Sequence, residues 1–517
     1  MKTRLVPAAF LLVLASLLLA ACGGGGGDGG ADPASVAPAA APLYIEAAVH
    51  PEGELKSNVE ALAEKLAGVE DLGELIVSEL ESSAGDSGEE LDFATEVEPW
   101  LGEHGGVFFE SYDGDDFSGY GLAVQTSDSG ATEEFIDKHA GSDGEPAEDG
   151  SFEGVDFKVD PSDGTTVGVV DDLFLLAEDE KAFEHAVEAA NGESLADNDS
   201  FTTAFDAAAD ESLADVYIDV GGLLEQAGGE IDAESKQFLE SAGIDPENAT
   251  AVASLVPGSD QIEIDFTTNV GKSEPGDASK LLESLPGGSF VAFSTANVGK
   301  QIAEGIKAID EQGVPGELES GELSAGLGAL GIDPEKIANS LKEVAVFAQG
   351  NTERNLTGAL VFTASGSEAK QLVAQIGKLL RVSNTPGVTA LSGKASGFSI
   401  RSSDLGSQPL VVATEGERIA ISYGLAASAA ALSAGGGSSL GQNPAFKEAK
   451  EALGDTPISG FVAGPATLAL VQNLIPADEE EEFEEARPYL EKIAFAAVGA
   501  GNDGDLTTSK VIVGLTE

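Results

Sequence analysis

Hydrophobic positions along this chain follow two rhythms. Runs of period two alternate with stretches of period three to four, so strands and helices both recur. Residues 41–49 form a β-type run built on Leu43, Tyr44 and Ile45. Val59, Leu62, Leu66 and Val69 then recur at helical spacing within residues 55–80. A short helix is predicted at 93–98, and strands at 106–111 and 120–125 flank the turn-forming Asp113-Gly114-Asp115-Asp116. A helix at 131–138, strands at 155–159 and within 167–177, and a helix at 180–190 follow. The pattern then gives a strand at 214–220, a helical stretch ending near Ala242, and a hairpin over 249–268.

After a polar linker at 272–279 the order starts again. Residues 289–296 correspond to the first strand, 344–348 and 357–363 to the first hairpin, and 367–380 to the helix after it. The strand at 409–414 is matched with the one at 173–177, and 424–433 with the next helix. Locally, Ser194-Leu195 to Phe201 lines up with Ser439-Leu440 to Phe446, each ahead of an Ala-rich helical turn and then a strand. Both copies close on a hairpin, the second over 493–498 and 509–513. The pentapeptides Gly243–Glu247 and Gly331–Glu335 are identical. Their Asp caps a helix, Pro suits its first position, and Glu complements the dipole. The unit strand, helix, capped turn, hairpin is thus expected twice per copy. The predicted fold class is α+β: two homologous repeats, 41–271 and 280–517, each an antiparallel sheet built from hairpins with helices packed on it.

The first residues differ from this pattern. Lys2 and Arg4 precede an apolar run that ends Leu19-Ala20-Ala21-Cys22, and Gly23 to Gly27 follow. A basic start, a short apolar stretch and small residues make a secretory signal over residues 1–21. The ending resembles the lipobox of bacterial lipoproteins. That resemblance implies a diacylglyceryl group on Cys22, added palmitate, and anchoring at the extracytoplasmic face of the cell membrane. Residues 22–40, rich in Gly, Ala and Pro, read as a flexible tether.

Charge narrows the partners. Asp and Glu number 91 against 26 Lys and Arg, a formal −65. Nucleic acid is excluded as a partner, because phosphate contacts need a basic patch. The acids are spread along the chain and read as a self-repelling, solubilising surface. Cys22 is the only cysteine, so disulfides within the chain, thiolate metal sites and cysteine nucleophiles are all excluded.

No motif of a known chemistry stands out. His50, His104, His139 and His185 lack the spacing of a zinc helix. Asp113, Asp115 and Asp116 offer an oxygen-rich turn for calcium, although the distal Glu of an EF-hand is missing. Asp160, Asp163, Asp171 and Asp172 would do likewise if their turns met. The acidic run 478–485 reads as the first turns of a helix that Pro488 ends or kinks. Gly437 to Gly441 matches the letters of a nucleophile elbow, but a loop precedes it and no histidine follows Ser439.

The lipobox, the strand at 41–49, and the segments Asn198–Phe201 and Asn443–Phe446 before Ala-rich helices make the chain similar to the actinobacterial lipoproteins grouped as domain of unknown function 3352. The resemblance covers nearly the whole mature chain and implies no activity, catalytic residue or cofactor. The expectation is a non-enzymatic, membrane-anchored binding or interaction module whose partner is an envelope protein or an apolar ligand. A lipid carrier, built as a curved sheet with helices on one face around an apolar cavity, is the alternative. An enzyme with an unrecognised site comes last.

Overall fold

The computed structural model describes residues 30–68, 93–114, 116–141, 146–209, 211–226, 248–270, 276–312, 321, 325–326, 328, 333–352, 354–406, 408–433, 438–476, 480–504 and 506–516. The signal segment, Cys22, Asp115 and the pentapeptide Gly243–Glu247 lie outside them. The chain folds as two units, residues 1–273 with 502–509, and residues 274–501 with 510–517.

In the first unit the strands are β1 (Leu43–Ala48), β2 (Leu101–Tyr112), β3 (Phe117–Thr126), β4 (Glu148–Phe152), β5 (Val155–Val159), β6 (Thr166–Val170), β7 (Leu173–Ala177), β8 (Ala214–Asp219), β9 (Thr250–Pro257) and β10 (Gln261–Thr268). They form an antiparallel sheet in the order β4-β5-β6-β7-β3-β2-β1-β8-β9-β10. β1 and β8 lie side by side at the centre of a symmetric pattern. The hairpin β2–β3 flanks one, and the hairpin β9–β10 flanks the other. The helices are α1 (Gly53–Ala67), α2 (Phe93–Glu96), α3 (Ser129–His139), α4 (Glu180–Asn191), α5 (Asp199–Phe205) and α6 (Val220–Gln226). α1 follows β1 but packs on β9, and α6 follows β8 and packs on both β2 and β9.

Local chemistry sets the helix ends. Asp128 and Asp179 cap α3 and α4 by accepting from Ala131 N and Ala182 N. Gly68 closes α1 at φ 71°, a conformation that costs glycine little. Strand alternation then sorts the side chains between two faces. On β7, Leu173, Leu175 and Ala177 pack with Phe183 and Ala186 of α4, whereas Phe174 and Leu176 pack with Phe135 and Ile136 of α3. Helices thus cover both faces, not one. The larger core holds Tyr44, Phe108, Phe183 and Tyr217, all fully buried. Each such side chain contributes about 1.5–3 kcal/mol by leaving water.

The second unit repeats this arrangement. Its strands are β11 (Val291–Ala296), β12 (Leu341–Gln349), β13 (Thr357–Ala364), β14 (Val388–Ala390), β15 (Ser396–Ile400), β16 (Leu410–Glu415), β17 (Arg418–Tyr423), β18 (Ile458–Ala463), β19 (Ile493–Asp503) and β20 (Leu506–Leu515). Their order is β14-β15-β16-β17-β13-β12-β11-β18-β19-β20, strand for strand that of the first unit. Its helices are α7 (Ser279–Glu283), α8 (Val298–Gln312), α9 (Pro334–Ser340), α10 (Gly366–Val382), α11 (Leu425–Leu432), α12 (Pro444–Ala452), α13 (Gly464–Leu474) and α14 (Glu480–Leu490). Asp333 caps α9 through Lys336 N, with Pro334 at its first position.

Three sequence expectations change. First, β4 and β14 are strands without readable alternation: β4 is Glu-Asp-Gly-Ser-Phe, and β14 has three residues. Second, residues 409–414 align with β6, not with 173–177; the partner of β7 is β17. Both strands of that hairpin are apolar, and only the ladder distinguishes them. Third, the tether does not extend through residues 22–40. Residues 31–41 belong to the fold: Ala31 O accepts from Gln125 Nε2, Pro33–Val36 make a 3-10 turn, and Ala34, Val36, Ala37 and Ala41 are buried.

The same clasp holds the entry segment of each unit. In the first, Pro38 bridges Ser194, Leu195 N donates to Ala37 O, and Asn198 Nδ2 donates to Ala39 O at 2.9 Å. Asn198 Oδ1 meanwhile accepts from Ser200 N and Phe201 N, capping α5. In the second, Pro286 bridges Ser439, Leu440 N donates to Leu285 O, and Asn443 Nδ2 donates to Gly287 O at 3.0 Å while Oδ1 caps α12. Phe201 stands edge-on to Tyr217, with centroids 5.0 Å apart; Phe446 and Phe461 make the same pair at 5.3 Å. We expect Asn198→Ala and Asn443→Ala each to cost about 1–2 kcal/mol, the sum of a cap and a half-buried hydrogen bond. Denaturant melts of the two variants check this; an unchanged midpoint for either would remove its clasp from the account.

Candidate functional site

Residues singled out in the sequence do not converge. Asp113 Oδ1 accepts from Asp116 N at 3.0 Å, so that carboxylate serves its own turn. Asp160 and Asp163 likewise accept from Ser162 N and Thr165 N, and Asp172 accepts from Ser129 Oγ. The 160–165 turn and the 171–172 turn lie at opposite ends of β6 and do not meet. Among the described residues no group of three or more His, Cys, Asp or Glu side chains is placed to hold a metal ion. Ser439 joins the clasp through its backbone, in a bridge to Pro286, and Pro488 lies inside α14 without ending it. Among the described residues no helix is long and apolar enough to cross a membrane.

Three histidines instead face glutamates, in three separate places. His139 Nε2 lies 2.9 Å from Glu96 Oε2, beside the Lys138–Glu96 ion pair. His185 Nδ1 lies 2.9 Å from Glu110 Oε2, and burial raises the Glu110 pKa. His104 Nδ1 lies 3.8 Å from Glu46 Oε1. The spacing along the chain gave no sign of these pairs, because each joins distant strands or helices.

The Glu46 site gathers the most titratable groups. Glu46 on β1 stands directly opposite Asp215 on β8. The hydroxyl of Tyr44 donates to Glu46 Oε2 at 2.7 Å, and Ser212 Oγ donates to Asp215 Oδ2. Gly106, across from Glu46 on β2, leaves the space: a Cβ there would sit 2.5 Å from the Tyr44 hydroxyl. Burial is the main cause that pushes Glu46 up to about 7, aided by the Asp32 and Asp215 carboxylates and opposed by the Tyr44 hydrogen bond. Burial raises Asp215 too, against hydrogen bonds from Ser212 and Ser254 and the charge of His104. The second unit has Ser294 and Ser459 at the matching places, so this acid pair belongs to the first unit alone.

The second unit differs in another respect. Phe293, Val346 and Leu360 occupy directly opposite positions on β11, β12 and β13, and are 40%, 41% and 41% exposed. The first unit has Ile45, Val107 and Leu122 there, the last two each only 4% exposed. In the first unit α1 reaches β9; in the second α8 packs on α9 and β12. A separate open cavity of about 290 Å³ is lined by polar groups, among them Asp199, Ser200, Thr250 and Thr268.

Comparison with known proteins adds a family and little more. The family described as "Protein of unknown function (DUF3352)" matches residues 12–515. No curated protein matches the chain. Crystal forms I and III of TP0453 align at 10% and 12% identity, over 47% and 48% of this chain and 81% and 82% of theirs, with TM-scores of 0.25 and 0.26. Scores of that size carry no argument about the fold or the role.

The Glu46 pKa makes stability depend on pH. Its folded value, about 7, lies above the ordinary 4.5, so the folded state holds the proton more tightly. The stabilisation is complete below pH 4.5 and is lost as pH rises through 7. The difference corresponds to on the order of 3 kcal/mol. Thermal melts at pH 5 and pH 8 are expected to show the wild type losing stability while Glu46→Gln loses measurably less. Parallel curves for the two proteins would refute the assignment.

Proposed function

The chain belongs to the DUF3352 family of proteins of unknown function, and from that premise we propose that it is a membrane-anchored extracytoplasmic lipoprotein serving as a non-enzymatic binding module. The anchor reading is supported by Lys2 and Arg4, the apolar run, and Leu19-Ala20-Ala21-Cys22. Two acyl chains would hold it stably where one is marginal. Ala31 is already held in the first unit, its carbonyl accepting from Gln125 Nε2 at 2.8 Å, so at most residues 22–30 connect the lipid to it. Fully extended, they reach at most ~32 Å. The first unit then works close to the membrane surface, not at the end of a long leash.

The binding reading rests on one observation: the open apolar row on β11, β12 and β13. Exposed apolar side chains in contiguous rows mark interaction sites more often than singly scattered ones do. A carrier of an apolar ligand is the second reading, and the same row favours it over a protein with no ligand.

The anchor is tested at Cys22. We expect the wild type to take up labelled palmitate and to sediment with membranes. Cys22→Ser should lose the label and move to the soluble fraction. A variant that stays in the membrane pellet would remove the lipid anchor from the proposal.

A further inference from the structure

We infer that residues 31–36 form a latch on the first unit, held shut while Glu46 keeps its proton and let go when Glu46 ionises. This goes beyond the binding-module reading, because it concerns how the unit is held and not what it binds. The geometry begins on the sheet. Glu46, Asp215, Ser254 and Asp265 stand directly opposite one another on β1, β8, β9 and β10, so one polar row crosses these strands. Side chains opposed in this way lie about 5 Å apart at Cβ. Two residues along the strands, on the same face, Tyr44 and Tyr217 belong to the larger core.

The entry segment reaches the same place. Ala34, Val36 and Ala37 are buried in the core that holds Tyr44, and the 3-10 turn packs on β2, β3 and α4. Gln125 of β3 ties segment to sheet. Its Nε2 donates to Ala31 O at 2.8 Å, and its Oε1 accepts from His104 N at 3.0 Å. Among the described residues, four titratable groups face the Glu46 carboxyl: the Tyr44 hydroxyl from its own strand, His104 from β2, Asp215 from β8 and Asp32 from the entry segment. Of these only His104 can carry a positive charge. An ionised Glu46 therefore meets two carboxylates and one imidazole.

The element that yields is the one held least. β1 is paired with β2 along one edge and β8 along the other, and the clasp fixes residues 37–39. Among the described residues, 31–36 take one hydrogen bond from the sheet, that of Gln125; the bonds of Ala34 N to Asp32 Oδ1 and of Ser35 N to Asp32 O stay inside the segment. Lifting 31–36 carries Asp32 away and returns Glu46 to water, which relieves both the repulsion and the desolvation. Because the folded-state value of about 7 exceeds the ordinary 4.5, the latch is firm below pH 4.5 and is lost as pH rises through 7. Once it opens, residues 22–36 and not 22–30 join the unit to a lipid on Cys22, and the reach grows from ~32 to ~54 Å. That consequence rests on the anchor reading; the latch does not.

The test is hydrogen exchange read by mass spectrometry on the full chain in a neutral detergent. We expect the peptide carrying the Ala34, Ser35 and Ala37 amides to lose protection by about tenfold or more between pH 5 and pH 8, after correction for intrinsic exchange. Glu46→Gln should lose markedly less. The Tyr44 hydrogen bond favours the ionised carboxyl, so Tyr44→Phe should move the loss to higher pH. Residues 43–48 of β1 should stay protected at both pH values. Equal losses in wild type and Glu46→Gln overturn the latch. So does loss from 43–48 to the same extent as from 31–37, which makes the opening one of the whole unit. If Glu46→Gln misfolds, Tyr44→Phe decides: a midpoint that stays or moves down overturns the latch. The exchange is read whether or not Cys22 carries lipid, so its outcome is independent of the anchor test.

Discussion

Each half of this protein depends on one asparagine. Asn198 and Asn443 use both ends of the amide: the oxygen caps a helix, and the nitrogen holds a distant backbone carbonyl. The contacts span 159 and 156 residues, so a local cap becomes a tertiary lock. Loop closure costs grow only slowly with length, so one well-made bond at that distance is thermodynamically reasonable. In the first unit Ala34, Ala37 and Ala41, on the segment the lock holds, are buried. Removing either end of the amide would leave a helix end or a half-buried carbonyl without this partner.

On that lock two units share a strand order yet have diverged chemically. The first keeps acids in its packed sheet, Glu46 opposite Asp215, and shields its central apolar row. The second replaces those acids by Ser294 and Ser459 and opens the same row to solvent. Titratable groups gather in one unit, and apolar surface gathers in the other. Within each unit the central strand pair, β1 with β8 or β11 with β18, relates two hairpins symmetrically. The strand, helix, hairpin element is therefore used four times.

How much of this could be read from the chain depended on distance. The match of Ser194–Phe201 with Ser439–Phe446 was visible because a cap needs particular residues within a few positions. Those same stretches proved to be the clasps. Their acceptors, Ala39 and Gly287, were invisible, because any backbone carbonyl would serve. The segment from Asp32 to Ala40 reads as tether on composition alone. Small residues look like linker in a sequence and like tight packing in a fold.

Along the chain itself were written the alternation of strands, the capped helices, the repeated order, the acidic surface and the Leu19–Cys22 motif. These follow from local propensity and period, which act over a few residues. Tertiary structure alone decided which strand neighbours which, how Glu46 comes to face Asp215 and His104, and which apolar row stays open. Those outcomes depend on burial and on pairing between residues far apart in sequence, where no local rule reaches.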